Sequence, residues 1–123
     1  MHLVPDADSP AAAPIDFATF LLTDIRVGTV IEAEDYPGAR HPSLKLRIDF
    51  GPAIGVKRSC ARIAPRYTAA GIVGRQVAAV VNFPPRQVGK AMSEVLTLGF
   101  PDEEGEVILF APDRPVANGA RLF

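Results

Sequence analysis

An all-β domain is the fold class this sequence predicts, and three observations predict it. Apolar and polar residues alternate in short runs between turn signals. Twelve prolines and ten glycines among 123 residues imply many turns. The elements fall in the order of three strands, a short helix and two strands.

Residues 1–15 are rich in Ala, Pro and Asp and read as a flexible tail before a domain over 16–123. Asp16 is placed to cap a short helix over 16–22 carrying Phe17, Phe20 and Leu21. From Asp24 the pattern becomes β: Ile25, Val27, Thr29 and Ile31 alternate with Arg26, Gly28, Val30 and Glu32. Gly28 inside that run suggests a bulge or a sharp bend. After a turn at Pro37-Gly38, Leu44, Leu46, Ile48 and Phe50 point one way and Lys45, Arg47 and Asp49 the other. A third strand runs from about Ile54 to Cys60.

Arg62, Ile63, Arg66 and Tyr67 are helix-spaced, and Gly71 and Gly74 stop the run, which predicts a short helix or helical turn within 61–74. A fourth, buried strand covers Gln76 to Asn82. Phe83 to Lys90 is a loop stiffened by Pro84 and Pro85, and the fifth strand is Ser93 to Leu98. This order matches an OB-fold, a five-stranded Greek-key barrel with a helix between its third and fourth strands. Beyond it lie an acidic turn at Asp102-Glu103-Glu104-Gly105, a sixth strand at Val107 to Phe110, and a tail from Pro112.

A barrel needs neither the first helix nor the last strand. Their bulky residues, Phe17, Phe20, Leu21, Val107, Leu109 and Phe110, either seal the barrel or meet a second copy, and exposed apolar strands invite pairing. A homodimer is the expectation.

Charge is polarised along the chain. Residues 40–90 hold ten of the thirteen Lys and Arg, with Asp49 the lone acid, giving +9 where the whole chain is −1. Such a segment builds a positive surface unless its bases pair with the acids at the two ends after folding.

Enzymatic chemistry finds no support. Cys60 has no base or orienting partner, His2 lies in the tail, and His41 lies in a turn, so no catalytic residue is assigned. Cys60 reads as a small core-lining residue. Two histidines and one cysteine without ligand spacing give no metal site, and no Gly-rich phosphate loop suggests a cofactor. One cysteine permits no intrachain disulfide, and no apolar run approaches the ~20 residues of a membrane span. A cytoplasmic protein without membrane insertion is expected.

Binding fits better. OB-folds bind across strands 2 and 3 and the loops around them. Lys45 and Arg47 lie on strand 2, Lys57 and Arg58 on strand 3, and Arg86 and Lys90 on the loop before strand 5. Asn82 ends strand 4 with a donor and an acceptor, and Phe83 and Met92 add a semi-apolar rim. Nucleic acid requires exposed aromatics beside the bases, whereas an unfolded polypeptide requires apolar patches beside charge. The rim and the acidic pI favour polypeptide.

Asp24-Ile25-Arg26-Val27-Gly28 opens the barrel, and Leu44-Lys45-Leu46 leads to Ile48-Asp49-Phe50-Gly51. Ala39, Tyr67, Ile72-Val73-Gly74, Val80-Val81-Asn82-Phe83 and Lys90-Ala91-Met92-Ser93-Glu94 complete a series that resembles the tRNA-binding domain family over about 16–122. Asp49-Phe50-Gly51, Ser59-Cys60-Ala61 and Asn82-Phe83-Pro84-Pro85-Arg86 resemble the CsaA-type secretion chaperones within it. The resemblance implies an OB-fold, a homodimer, a chaperone for unfolded preprotein segments, and an affinity for tRNA. A free-standing tRNA-binding protein is the alternative it implies. It also adds Ser93 to the binding residues. Where family tRNA binders carry Ser-x-Gly-Met, this chain reads Ser93-Glu94-Val95-Leu96, a departure that weakens the tRNA reading.

Overall fold

The computed structural model describes residues 6–123. The predicted tail therefore lies partly outside the described residues, and its described part, 6–15, is exposed throughout. Helix α1 (Phe17–Phe20) starts where expected. The Asp16 carboxylate accepts from the Thr19 backbone N–H at 2.8 Å and from its hydroxyl at 2.6 Å. That pairing satisfies a donor the helix leaves open.

A five-stranded sheet runs in the order β3-β2-β1-β4-β7, from β1 (Ile25–Tyr36), β2 (Ser43–Asp49), β3 (Val56–Ala61), β4 (Gln76–Val80) and β7 (Leu96–Thr97). Helix α2 (Ala69–Ile72), capped by Thr68, lies between β3 and β4. This is the OB-type order the sequence predicts. The helix is shorter than the periodicity suggests, because Pro65 disfavours helical backbone at Ala64.

β2 is built as expected, with Leu44, Leu46 and Ile48 buried and Phe50 buried just beyond it. Val30, Ile72, Val77 and Ala79 complete the centre of the core. In β1 the inner face belongs to Gly28 and Val30, while Ile31 is exposed. The register with β2 shifts between Val30 and Glu32, so Ile31 sits in a bulge. Gly28 is dictated by close approach: a Cβ there would lie 2.6 Å from Ile48 Cγ2 and 2.8 Å from Phe50 Cδ1. After the bulge β1 continues to Tyr36, further than its acidic sequence suggests.

The predicted fifth strand is broken in two. β5 (Arg86–Val88) and β6 (Ala91–Ser93) form a hairpin across what reads as a loop. β7 then rejoins the sheet against β4. The barrel closes between β3 and this broken strand mainly through side chains. Cys60 N–H donates to Ser93 Oγ at 3.0 Å, Glu94 N–H to the Arg58 carbonyl at 2.8 Å, and the Ser59 and Thr97 hydroxyls lie 2.7 Å apart.

β8 (Gly99–Pro101) pairs with β9 (Val107–Leu109), the predicted sixth strand. Val107 and Leu109 pack on the core of their own chain, and Phe110 meets Phe100 edge-on at 5.5 Å. Here the added strand seals the barrel. The acidic turn between β8 and β9 is tied to Arg66, which bonds both Asp102 at 3.0 Å and Glu104 at 2.8 Å. The last residues are no loose tail. Gly119 N–H donates to Val27 O at 2.7 Å, and Leu122 N–H to Ile25 O at 2.9 Å, along the first part of β1, where β2 does not pair with it. Helix α1 differs: Phe17 is 67% exposed and Leu22, just past the helix, 74%, with no helix residue buried.

No helix among the described residues is long and apolar enough to cross a membrane.

Candidate functional site

Two concave grooves lie on either side of β3, and the predicted binding residues divide between them. The first encloses about 770 Å³ over the outer face of β1, β2 and β3, with the β5–β6 hairpin as its other wall. Lys45, Arg47, Arg58, Lys90 and Met92 all line it. β2 and β3 put these bases together because Arg47 stands opposite Arg58, and Lys45 opposite Cys60.

Acids from outside the 40–90 segment enter this groove and pair with its bases, the alternative that the charge pattern leaves open. Glu34 pairs with Lys45 at 3.2 Å, and Glu32 with Arg47 at 2.8 Å. Both come from the far end of β1, in register with β2. Arg58 binds Glu94 at 3.2 Å, and hydrogen bonding from the Arg58 backbone holds that carboxyl below its ordinary range. With Arg66 bound to Asp102 and Glu104, four of the ten bases in 40–90 are neutralised by acids from outside that segment. The uniform positive face becomes a groove of mixed charge.

Tyr36, which no sequence pattern singles out, fixes the hairpin over the groove. Its hydroxyl donates to the Val88 carbonyl at 2.6 Å and accepts from the Lys90 N–H at 3.0 Å. Lys45 Nζ stands 5.4 Å above its ring. Gly89, at φ 61°, turns the hairpin, and a Cβ there would run into the Tyr36 hydroxyl.

The second groove encloses about 420 Å³ beyond β3, toward β7 and the β8–β9 hairpin. Arg86 lines this groove and not the first.

Four predicted residues line neither groove. Lys57 is on the opposite face of β3 from Arg58, because successive strand residues alternate. Phe83, just before the hairpin, is 51% exposed. Asn82 is engaged elsewhere: its amide donates to Leu22 O at 2.8 Å, and its carbonyl accepts from Asp24 N–H at 3.0 Å. It ties the α1–β1 junction to the end of β4. Ser93 is buried, accepting from Cys60 N–H and donating to Val95 O, both at 3.0 Å. There it joins β3 to the broken strand.

Cys60 also departs from expectation. Ser59 and Ala61 take the inner face of β3, so Cys60 turns outward and lines both grooves. Burial pushes its thiol up, against the pull of Lys45, Arg86 and Arg58. A thiol so shifted is a poor nucleophile.

The model of the family described as "Putative tRNA binding domain" matches residues 25–121. The chain belongs to the tRNA-binding domain family. Among solved structures, the chaperone CsaA from Bacillus anthracis is 44% identical with a TM-score of 0.84, covering 90% of this chain and all of that one. The CsaA chaperone from Picrophilus torridus is 38% identical with a TM-score of 0.82, covering 89% of this chain and all of that one. A methionine–tRNA ligase of Porphyromonas gingivalis is 38% identical over 114 residues, or 93% of this chain. The chain spans 16% of the length of that ligase, so the likeness is to one part of it.

Proposed function

We propose that this tRNA-binding-family domain works as a CsaA-like chaperone, holding unfolded preprotein segments in the mixed-charge groove before export. The observation that carries this reading is the pairing of Glu32 and Glu34 with Arg47 and Lys45 inside the groove. A phosphate backbone approaching these bases would meet two carboxylates. An extended polypeptide can set its own charges against either sign and lay apolar side chains on Tyr36, Val73 and Met92. The hairpin fixed by Tyr36 pre-forms the site, which lowers the ordering cost of binding. The likeness to two CsaA chaperones over their full lengths supports the same reading.

The working form in this proposal is a cytoplasmic homodimer assembled through the exposed apolar face of α1, with no catalytic step. Residues 16–123 form its functional domain.

A second reading, a free-standing tRNA-binding protein, is favoured by the family match over 25–121. One experiment separates the two. A reduced, carboxymethylated polypeptide and bulk tRNA are titrated against the same protein at low and physiological salt. The chaperone reading expects the polypeptide to bind at both. It expects tRNA affinity to fall steeply, because each phosphate neutralised contributes a log–log slope of about −0.9 on duplex. Salt-resistant tRNA binding without polypeptide binding would establish the second reading instead.

A further inference from the structure

The second groove differs from the first in charge. Arg40, Arg62 and Arg86 line it, and no carboxylate does. None of the three makes an ion pair among the described residues. Three arginines thus border one concavity without an ion-pair partner among the described residues, and guanidinium forks fit planar oxyanions.

The remaining wall decides which anion. It is chiefly aliphatic, from Ile63, Leu98 and Val107, and carries two rings, those of Phe100 and His41. Single-stranded nucleic acid favours several ring faces on which successive bases stack. Carboxylates spaced along an apolar chain match both the arginines and the aliphatic wall.

We propose that this groove is a separate site for an acidic, apolar polypeptide segment, its Asp or Glu carboxylates held by Arg40, Arg62 and Arg86. The site does not depend on the mixed-charge groove. Cys60 lines both grooves, so a segment in the second one shields a thiol that also borders the first.

The test uses the full chain and three fluorescent probes: a twelve-residue peptide alternating Leu and Glu, the same peptide with Lys for Glu, and oligouridylate. Parent protein should bind the Glu peptide and slow the alkylation of Cys60. Arg40→Ser with Arg62→Ser should weaken that binding at least about tenfold, the loss expected from one charge-assisted hydrogen bond. Its melting temperature should match the parent's. Arg40→Glu with Arg62→Glu should shift preference toward the Lys peptide, a gain that a misfolded variant would not show. Lys90→Ala with Met92→Ala, assayed with the carboxymethylated polypeptide, reports the first groove separately. Glu-peptide binding unchanged in both arginine variants would overturn the proposal. So would oligouridylate binding that is lost in these variants while the Glu peptide never binds.

Discussion

The hydroxyl of Tyr36 accepts the backbone N–H of Lys90 at 3.0 Å while donating to the carbonyl of Val88, so one side chain holds both ends of the hairpin turn. A strand residue thereby sets the wall of a groove 54 positions further along the chain. Tyr36→Phe keeps the ring and removes both bonds. Stability should fall by about 1 kcal/mol in urea unfolding, and affinity for unfolded polypeptide should fall several-fold. Unchanged affinity would mean that the hairpin needs no fixing to bind.

Gly28→Ala tests the packing of β1 on β2. The new Cβ would meet Ile48, Phe50 and the Asp49 carbonyl, all within 2.9 Å. Overpacking of this kind costs about 1–3 kcal/mol, to be read as a lower urea midpoint with the slope unchanged. A midpoint equal to the parent's would show that the strands can separate freely.

Much of this architecture was legible in the sequence, for reasons tied to particular residues. Leu44, Leu46, Ile48 and Phe50 announce β2 because a half-buried strand shows its period directly. The far end of β1 was hidden because Glu32 to Tyr36 is polar, and its strand character depends on the bases it meets on β2. The β5–β6 hairpin was hidden because Pro84 and Pro85 just before it suggest a loop, while its anchor is Tyr36. Lys45, Arg47, Arg58, Lys90 and Met92 do share one groove. The hydrogen bonds of Asn82 and Ser93 reach partners far away in sequence, Leu22 and Cys60. No local pattern carries that information.

Acid should destabilise the fold. Glu94, hydrogen-bonded by the Arg58 backbone, titrates below its ordinary value of 4.5. Asp102 titrates below 3.8 despite burial, which alone would raise it, because Arg66 and the Glu106 and Glu104 N–H groups hold the charged form. A carboxyl lowered in the folded state binds fewer protons there than in the unfolded chain, so stability rises with pH across the interval between the two values. The melting temperature should therefore be level above the ordinary carboxylate range and decline once pH drops through it. Asp102→Asn should flatten part of that decline. A melting temperature that rises on acidification would reverse the sign and refute this account.

The α1 face should join two copies. Phe17, Leu21 and Leu22 are exposed together, and burying each such side chain yields roughly 1.5–3 kcal/mol. Light scattering should report twice the chain mass of 13.1 kDa. Phe17→Asp with Leu22→Asp should return single chains with an unchanged far-UV spectrum. A parent protein already at the single-chain mass would contradict the homodimer.

The most direct test of the central claim is the affinity of a fluorescent unfolded preprotein segment for Lys90→Ala with Met92→Ala, measured beside the thermal melt. Both side chains line the mixed-charge groove, and both are exposed. Exposed charges contribute about 0–1 kcal/mol to stability, so the melt should barely move. Affinity should drop about tenfold, the equivalent of 1.4 kcal/mol. A variant that melts like the parent and binds the segment equally well would place the polypeptide elsewhere and contradict the account.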